Sequence, residues 1–371
     1  MCNVVEVRGK QEWKDFLGLP DQVYQPGSLY CPPLAIHLKL MLGSLKQPEK
    51  HLLVAYQDGK PVARMGIKRH RHGDYDALHF GFFESVSIGP EPTEALFDYA
   101  RRLYPELTIH GPFQFRMEDP YTGCLVDGFD KDPYFFMSYN PPYYDGYLQK
   151  AGLKGSMDLF CYEFVPDRLR SNAVRDKAQA ALEHGFTLRT LNKLKMGSES
   201  KLLASIFNDA LSDNWGYEVL EKDQVDDLIT LAFLFLDSNL VYFAERDGET
   251  VGCAIVLPNF NPMIKRAGGS VGPGFLWEFL FNRGSIDTFR GYAIGIRKAH
   301  RNNAEVSSLL VHALTQMPRP WKAAELSWIL SNNRPMNLMA LGLGGRRSKI
   351  YRIYEGPPLK GGPAASAGEA K

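Results

Sequence analysis

The chain has 371 residues, with 43 Lys or Arg against 42 Asp or Glu, a net charge of +1 at pH 7 and 44% hydrophobic content. Such a balance makes no electrostatic case for nucleic acid or an anionic membrane surface, and the composition is that of a soluble globular protein. Five scattered cysteines without a CxxC pair argue against a disulfide framework or a zinc ribbon, and no run of about 20 apolar residues is present to span a membrane.

Charge appears too early at the N-terminus for a signal-peptide core, so a reduced, cytoplasmic compartment is expected. A short helix is predicted at 10–17, then a Pro/Tyr-rich stretch at 24–33 and an apolar helix at 34–45. Strands follow at 51–56, 62–68 and 77–85, the first two joined by Asp58-Gly59, a tight-turn pair because glycine tolerates positive φ. Ala95, Leu96, Tyr99, Ala100 and Leu103 recur at helical spacing and predict a helix at 93–104. Strands at 108–115 and 135–139 flank a loop, and a helix at 143–151 leads to a strand at 158–164. An amphipathic helix after Pro166, ended by Gly185, reads as a connector.

The second part repeats the plan. A strand is expected at 186–191, helices at 199–211 and 222–237, and a hairpin of strands at 240–245 and 250–257. An insertion at 258–287, read as a flexible lid, precedes a strand at 288–296, a helix at 304–316, a strand at 324–330, a helix at 335–341 and a strand at 349–354. Its apolar run, Phe275 to Phe281, suits an acyl pocket cover or a partner surface. The Pro/Gly/Ala-rich tail at 356–371 is expected to be disordered.

Two landmarks carry the repeat. VAYQDGKPVA at 54–63 returns as FAERDGETVG at 243–252, an offset of 189 (247 − 58), and Gly152, Asp158 and Tyr162 precede Gly344, Ile350 and Tyr354 by 192 (350 − 158). A long, non-periodic repeat implies two copies of one domain rather than a solenoid. The expected class is α/β with mixed sheets, as two tandem domains at 1–165 and 186–355, a connecting helix at 166–185 and the tail.

The strand order resembles that of the GNAT acyl-CoA N-acyltransferase superfamily, in particular bacterial tandem GNAT proteins. The matching stretches are FGFFE at 80–84, DGFD at 127–130, YNPPYY at 139–144, DNWG at 213–216, DGETVG at 247–252, ELSWIL at 325–330 and KIYRIYE at 349–355. The resemblance implies an acetyl-CoA or longer acyl-CoA co-substrate and a small-molecule amine or amino-acid-like acceptor; the charge balance and the lack of an apolar span argue for no nucleic-acid or membrane partner, and oligomeric state is not addressed. It also implies a CoA pyrophosphate held on N–H groups at a helix N-terminus. In the second half the corresponding stretch is 300–306. Arg301 fits its first position, while Ala304 and Val306 stand where small residues belong and Glu305 adds negative charge near Asn303. In the first half, Gly89-Pro90-Glu91-Pro92 lacks two N–H donors, so no CoA is expected there.

By the same resemblance, Glu84 or Glu325 is the candidate base and Tyr143 or Tyr144 the acid. For Glu84 the competing reading is a solvated strand-end carboxylate; for Trp328, placed with the substrate, it is core packing. Asn332 and Asn333 either cap a helix or contact CoA, and Asn214 and Trp215 would line the acceptor pocket. Loss of the glycines leaves a non-catalytic binding or scaffold protein as the alternative. Asn140-Pro141-Pro142-Tyr143 also resembles the base-flipping motif of DNA adenine methyltransferases, without the upstream Gly-rich cofactor turn that chemistry needs. His70, His72 and His79 read as a solvated hairpin tip, and no metal site is expected.

Overall fold

The computed structural model describes residues 2–42, 49–117, 119–165, 172–217, 219–220, 237–269, 272–315 and 321–359. The chain begins with β1 (Asn3–Glu6), α1 (Lys10–Val23), α2 (Ala35–Leu42), β2 (Lys50–Gln57), β3 (Lys60–His72) and β4 (Tyr75–Ser85). It continues through α3 (Glu91–Leu103), β5 (Thr108–Gly111), β6 (Cys124–Asp127), α4 (Tyr143–Lys150) and β7 (Lys154–Phe164). After α5 (Asn172–Glu183) come β8 (Thr187–Thr190), α6 (Met196–Leu211), β9 (Val241–Arg246), β10 (Glu249–Pro258), α7 (Asn261–Arg266) and α8 (Pro273–Trp277). The last elements are β11 (Thr288–Ile296), α9 (Ala304–Thr315), β12 (Ala323–Leu330), α10 (Arg334–Gly342) and β13 (Arg346–Gly356).

The repeat read from the sequence is visible in backbone angles. Asp58 and Asp247 have φ of 51° and 52°, and the glycines after them 74° and 80°. Both turns need positive φ at two successive residues, which Asp-Gly supplies at low cost. The register slips at the same place in both, after Ala55 opposite Ala63 and after Ala244 opposite Gly252.

Among the described residues, all thirteen strands join one mixed sheet in the order β1-β2-β3-β4-β5-β13-β7-β12-β11-β10-β9-β8, with β6 also on β13. The last strands of the two halves are therefore exchanged. β13 pairs with β5 of the first half, and β7 pairs with β12 of the second. At the centre β7 and β13 run antiparallel, with Phe160 opposite Ile350 and Asp158 opposite Arg352. Shifting each residue by the repeat offset of 192 (350 − 158) turns one of these pairs into the other, so a pseudo-two-fold axis passes between the two strands. Arg352 Nε and Asp158 Oδ1 bind across it at 2.7 Å.

Beside this axis lies a buried ion pair. Lys349 Nζ sits 2.5 Å from Glu325 Oε2, and both side chains are almost wholly excluded from solvent. Lys349 also donates to the Asp132 carbonyl at 3.1 Å, and Ser348 Oγ donates to Glu325 Oε2 at 3.3 Å. The pair ties β12 and β13 together across β7.

Several expectations are corrected. The strand expected at 135–139 does not form; Phe135 and Phe136 instead enter an apolar cluster shared with Phe260, Met263 and Ile264 of the second half. The strand beside β13 is β6, which Asn140 brackets by accepting from Leu125 N at 2.6 Å and donating to Leu125 O at 3.0 Å. That use of its amide accounts for the Asn-Pro-Pro-Tyr turn. The strand at 108–115 stops at Gly111, and β1, a short edge strand, was not foreseen. The predicted helix at 222–237 falls almost entirely outside the described residues, as do 166–171 of the connector and 360–371 of the tail.

His72 is exposed at the hairpin tip, as expected, but His79 is not. His79 is buried, its ring stacks on His70 at 4.7 Å, and Tyr75 Oη lies 2.9 Å from both His79 Nε2 and His110 Nδ1. β4 is buried continuously from Ala77 to Ser85, so His79 lies in its covered stretch, which a hairpin-tip reading overlooks. Burial lowers the His79 pKa well below the ordinary value and that of His110 to about 4. Among the described residues no group of three or more His, Cys, Asp or Glu is placed to hold a metal ion.

Two predictions follow from burial. Lys349→Met leaves the Glu325 carboxylate buried without its cation and is expected to cost about 3–5 kcal/mol in urea unfolding, most of it recovered by adding Glu325→Leu. His110 binds its proton more weakly in the folded chain than in the unfolded one. Its contribution to stability is therefore present above the ordinary value of 6.5 and is lost as pH falls toward 4. Unfolding midpoints measured between pH 7.5 and pH 4.5 should fall with pH, and less steeply in His110→Asn.

Candidate active site

Glu84 ends β4 in a wall of apolar side chains, and the structure buries it. Tyr144 Oη, from the first turn of α4, donates to Glu84 Oε2 at 2.7 Å, and accepts from the Ser85 N–H at 2.8 Å. Tyr24 Oη lies 2.9 Å from both Glu84 Oε2 and the Tyr139 carbonyl. Arg64 Nη2 approaches Glu84 Oε1 at 3.6 Å, while Arg64 Nη1 donates to the Phe16 carbonyl at 2.6 Å. Burial raises the Glu84 pKa above its ordinary value, against the opposing pull of Arg64 and the two phenols. Burial and the neighbouring carboxylate also push the Tyr144 hydroxyl well up, so it stays a proton donor at neutral pH.

A cavity of about 360 Å³ opens in front of this carboxylate. Its walls are mostly apolar, with Leu17, Leu38, Met41, Phe82 and Met137 among them, and polar atoms come from Glu84, Arg64, Tyr24 and Gln114. The size and mixture suit a ligand with an apolar body and one polar end. Phe82 has φ of 50° where β4 slips register against β3, and its N–H donates to Gln114 Oε1 at 3.0 Å. A non-glycine residue in that conformation stores strain, which recurs where backbone is aimed at a site. The second half contributes Gly268 and Gly269 to the wall. The Gly269 carbonyl accepts from the Ala35 N–H at 3.1 Å.

Of the residues read from the sequence, Glu84 and Tyr144 come together here. Tyr143 is adjacent, but its hydroxyl donates to the Ser85 carbonyl at 2.8 Å and it does not line the cavity. Glu325 lies apart in the ion pair with Lys349. Trp328 and Trp215 pack, half-buried, on the cluster around Tyr351 and Leu330. Asn214 closes a turn through its backbone. Asn333 caps α10 by accepting from Met336 N at 3.3 Å, and Asn332 is exposed beside it.

The second-half phosphate turn is engaged internally. Arg301 Nη1 pairs with Asp213 at 3.0 Å, Asn303 Oδ1 accepts the Glu305 N–H at 2.8 Å, and the Glu305 carboxylate meets His184 Nδ1 at 3.0 Å. Ala304 begins α9 beside them. In the first half the Gly89 N–H is taken by Tyr147 Oη at 2.9 Å.

Sequence reasoning missed Tyr24, Arg64 and Gln114. Arg64 had a signal, an arginine inside the apolar run Val62–Ile67, since a buried cation implies a buried partner. Tyr24 lay in the Pro/Tyr-rich stretch, where nothing in the pattern connected it with a residue 60 positions away.

The comparisons agree with this architecture. Solved structures with the same course include a GCN5-related N-acetyltransferase from Sphaerobacter thermophilus, at TM-score 0.53 and 10% identity, covering 98% of this chain and 97% of that one. A tandem GNAT protein from the clavulanic acid biosynthesis pathway aligns at TM-score 0.51 and 12% identity, over 97% of this chain and 100% of its own. The chain thus has a tandem GNAT fold. No protein-family model matches it. Protein YghO of Escherichia coli (strain K12) is 27% identical over 382 residues, covering 96% of this chain and 97% of that protein. The bacterial ceramide synthase of Caulobacter vibrioides (strain NA1000 / CB15N) is 27% identical over 375 residues, covering 95% and 97%.

Tyr144→Phe removes a donor to Glu84 and the acceptor of the Ser85 N–H. It is expected to destabilise the chain by about 1–3 kcal/mol in urea unfolding and to raise the Glu84 pKa further, read by carboxyl NMR titration.

Proposed function

We propose that the protein transfers an acyl group from acyl-CoA to the amine of an acceptor with a long apolar chain, at the Glu84 cavity. The observation that carries this reading is the Glu84–Tyr144 pair, a buried carboxylate bonded at 2.7 Å to a phenol beside an apolar cavity. A GNAT fold supports acyl transfer as the reaction class. Ceramide is an N-acylated long-chain amino alcohol, so the name of the Caulobacter relative fits the same acceptor class.

An amine arrives as an ammonium ion and must lose a proton before its nitrogen has a lone pair to attack. Glu84 takes that proton, favoured by its raised pKa. Nitrogen then attacks the thioester carbonyl; a C–N bond forms and the C–S bond breaks. Tyr144 donates a proton to the leaving thiolate and is recharged by Glu84 across their hydrogen bond. Of the three ammonium protons, one remains on the amide, one ends on the thiol and one passes to solvent. Arg64 and Tyr24 position the carboxylate.

A non-catalytic binding module is the second reading, favoured by the internally satisfied phosphate turns. Incubation with a long-chain amino alcohol and an acyl-CoA series, with amide product read by mass spectrometry, separates the two. Glu84→Gln is expected to lower kcat/KM by roughly 10²- to 10⁴-fold and to remove the acidic limb of the pH profile. Acyl-CoA at about 100 times its Kd should stabilise the fold by about 2.7 kcal/mol. No amide product, with or without a thermal shift, supports the non-catalytic module; no shift with any acyl-CoA sinks the acyl-transfer reading.

A further inference from the structure

The segment between β10 and β11 carries a surface that lies outside the cavity lining. Its inner side packs Phe260, Met263, Ile264 and Phe275 into the cluster shared with Phe135 and Phe136, with Phe279 alongside. Its outer side presents Leu276, Trp277, Leu280 and Phe281, which are 47%, 63%, 64% and 65% exposed. The Trp277 and Phe281 rings lie 4.4 Å apart, so these side chains form one continuous patch. Water opposes such an arrangement, and a contiguous exposed patch marks a docking surface.

Charge at the rim selects the partner. Lys265, Arg266 and Arg283 stand at the two ends, and Glu278 is the single carboxylate of residues 261–285. Glu278 and Arg266 pair at 2.8 Å and cancel, so the excess charge of the segment is positive, from Lys265 and Arg283. A second copy of the same patch would bring these like charges together, whereas lipid phosphate would neutralise them. Trp and Phe set among basic residues suit the zone between headgroups and acyl chains. Gly268 and Gly269, which line the cavity, belong to the same segment between β10 and β11.

We propose that residues 276–283 dock the protein on an anionic phospholipid bilayer, setting the cavity wall at 268–269 beside the lipid. Among the described residues no helix is long and apolar enough to cross a membrane, so the contact is peripheral. Delivery of an apolar amine from the bilayer rests on the acyl-transfer reading; docking itself does not.

The test sediments the full chain with vesicles of mixed phosphatidylcholine and phosphatidylglycerol, and with phosphatidylcholine alone. The wild type should pellet with the anionic vesicles, less with neutral ones and less at high salt. The triple variant Trp277→Ser, Leu280→Ser, Phe281→Ser should lose roughly tenfold or more in partition. Leu338→Ser with Leu341→Ser, an exposed pair on α10, should bind as the wild type does. Brominated phosphatidylcholine should quench wild-type tryptophan emission, and Trp277→Phe should bind normally yet lose most of that quenching, which tests the contact without disturbing the fold. Wild type left in the supernatant, or a triple variant that still pellets, overturns the proposal. So does a triple variant that changes oligomeric mass but not vesicle binding, which would assign the patch to a second copy. No acyl donor or amine is present, so failure of docking and failure of acyl transfer are read separately.

Discussion

The exchange of β7 and β13 is the constraint on which the rest of the structure depends. Each half supplies the strand that completes the other's sheet, so neither half closes its core alone. Glu325 and Lys349 sit beside the exchange, where a buried ion pair adds little net stability yet penalises any register that separates its members. The Asp158–Arg352 pair acts across the pseudo-two-fold axis at lower cost, because both side chains keep contact with solvent.

That exchange brings the candidate site into being. With β13 against β5 and β6, Gln114 and Tyr139 are brought to the cavity at the end of β4. The second half closes the wall where Gly269 meets Pro33; a Cβ at Gly269 would lie 3.0 Å from the Pro33 carbonyl, so a side chain there would crowd the junction. Burial then sets the chemistry. Glu84 is shielded enough that its proton affinity rises, while two phenols and an arginine keep it from being an isolated charge.

The two copies have diverged in opposite directions. The first holds the carboxylate and phenol; the second has used its helix N-terminus for internal capping and ion pairs with Asp213 and His184. A helix N-terminus can satisfy its N–H groups with its own side chains or with phosphate. In the described turn Asn303 already takes one of them.

Much of the fold was legible because its signals are local. Asp58-Gly59 and Asp247-Gly248 fix two matching turns, and apolar spacing marks α3 and α9 within a few residues. Glu84 and Tyr144 were also within reach, as a carboxylate ending an apolar strand and a tyrosine opening a helix. What sequence alone could not fix was which strand lies beside which, that Glu325 would be spent on Lys349, or that Tyr24 and Arg64 would converge on Glu84. Turns and periodicity are decided by residues a few positions apart. Strand order, burial and proton affinity are decided by contacts spanning the whole chain, and only the assembled sheet brings those partners together.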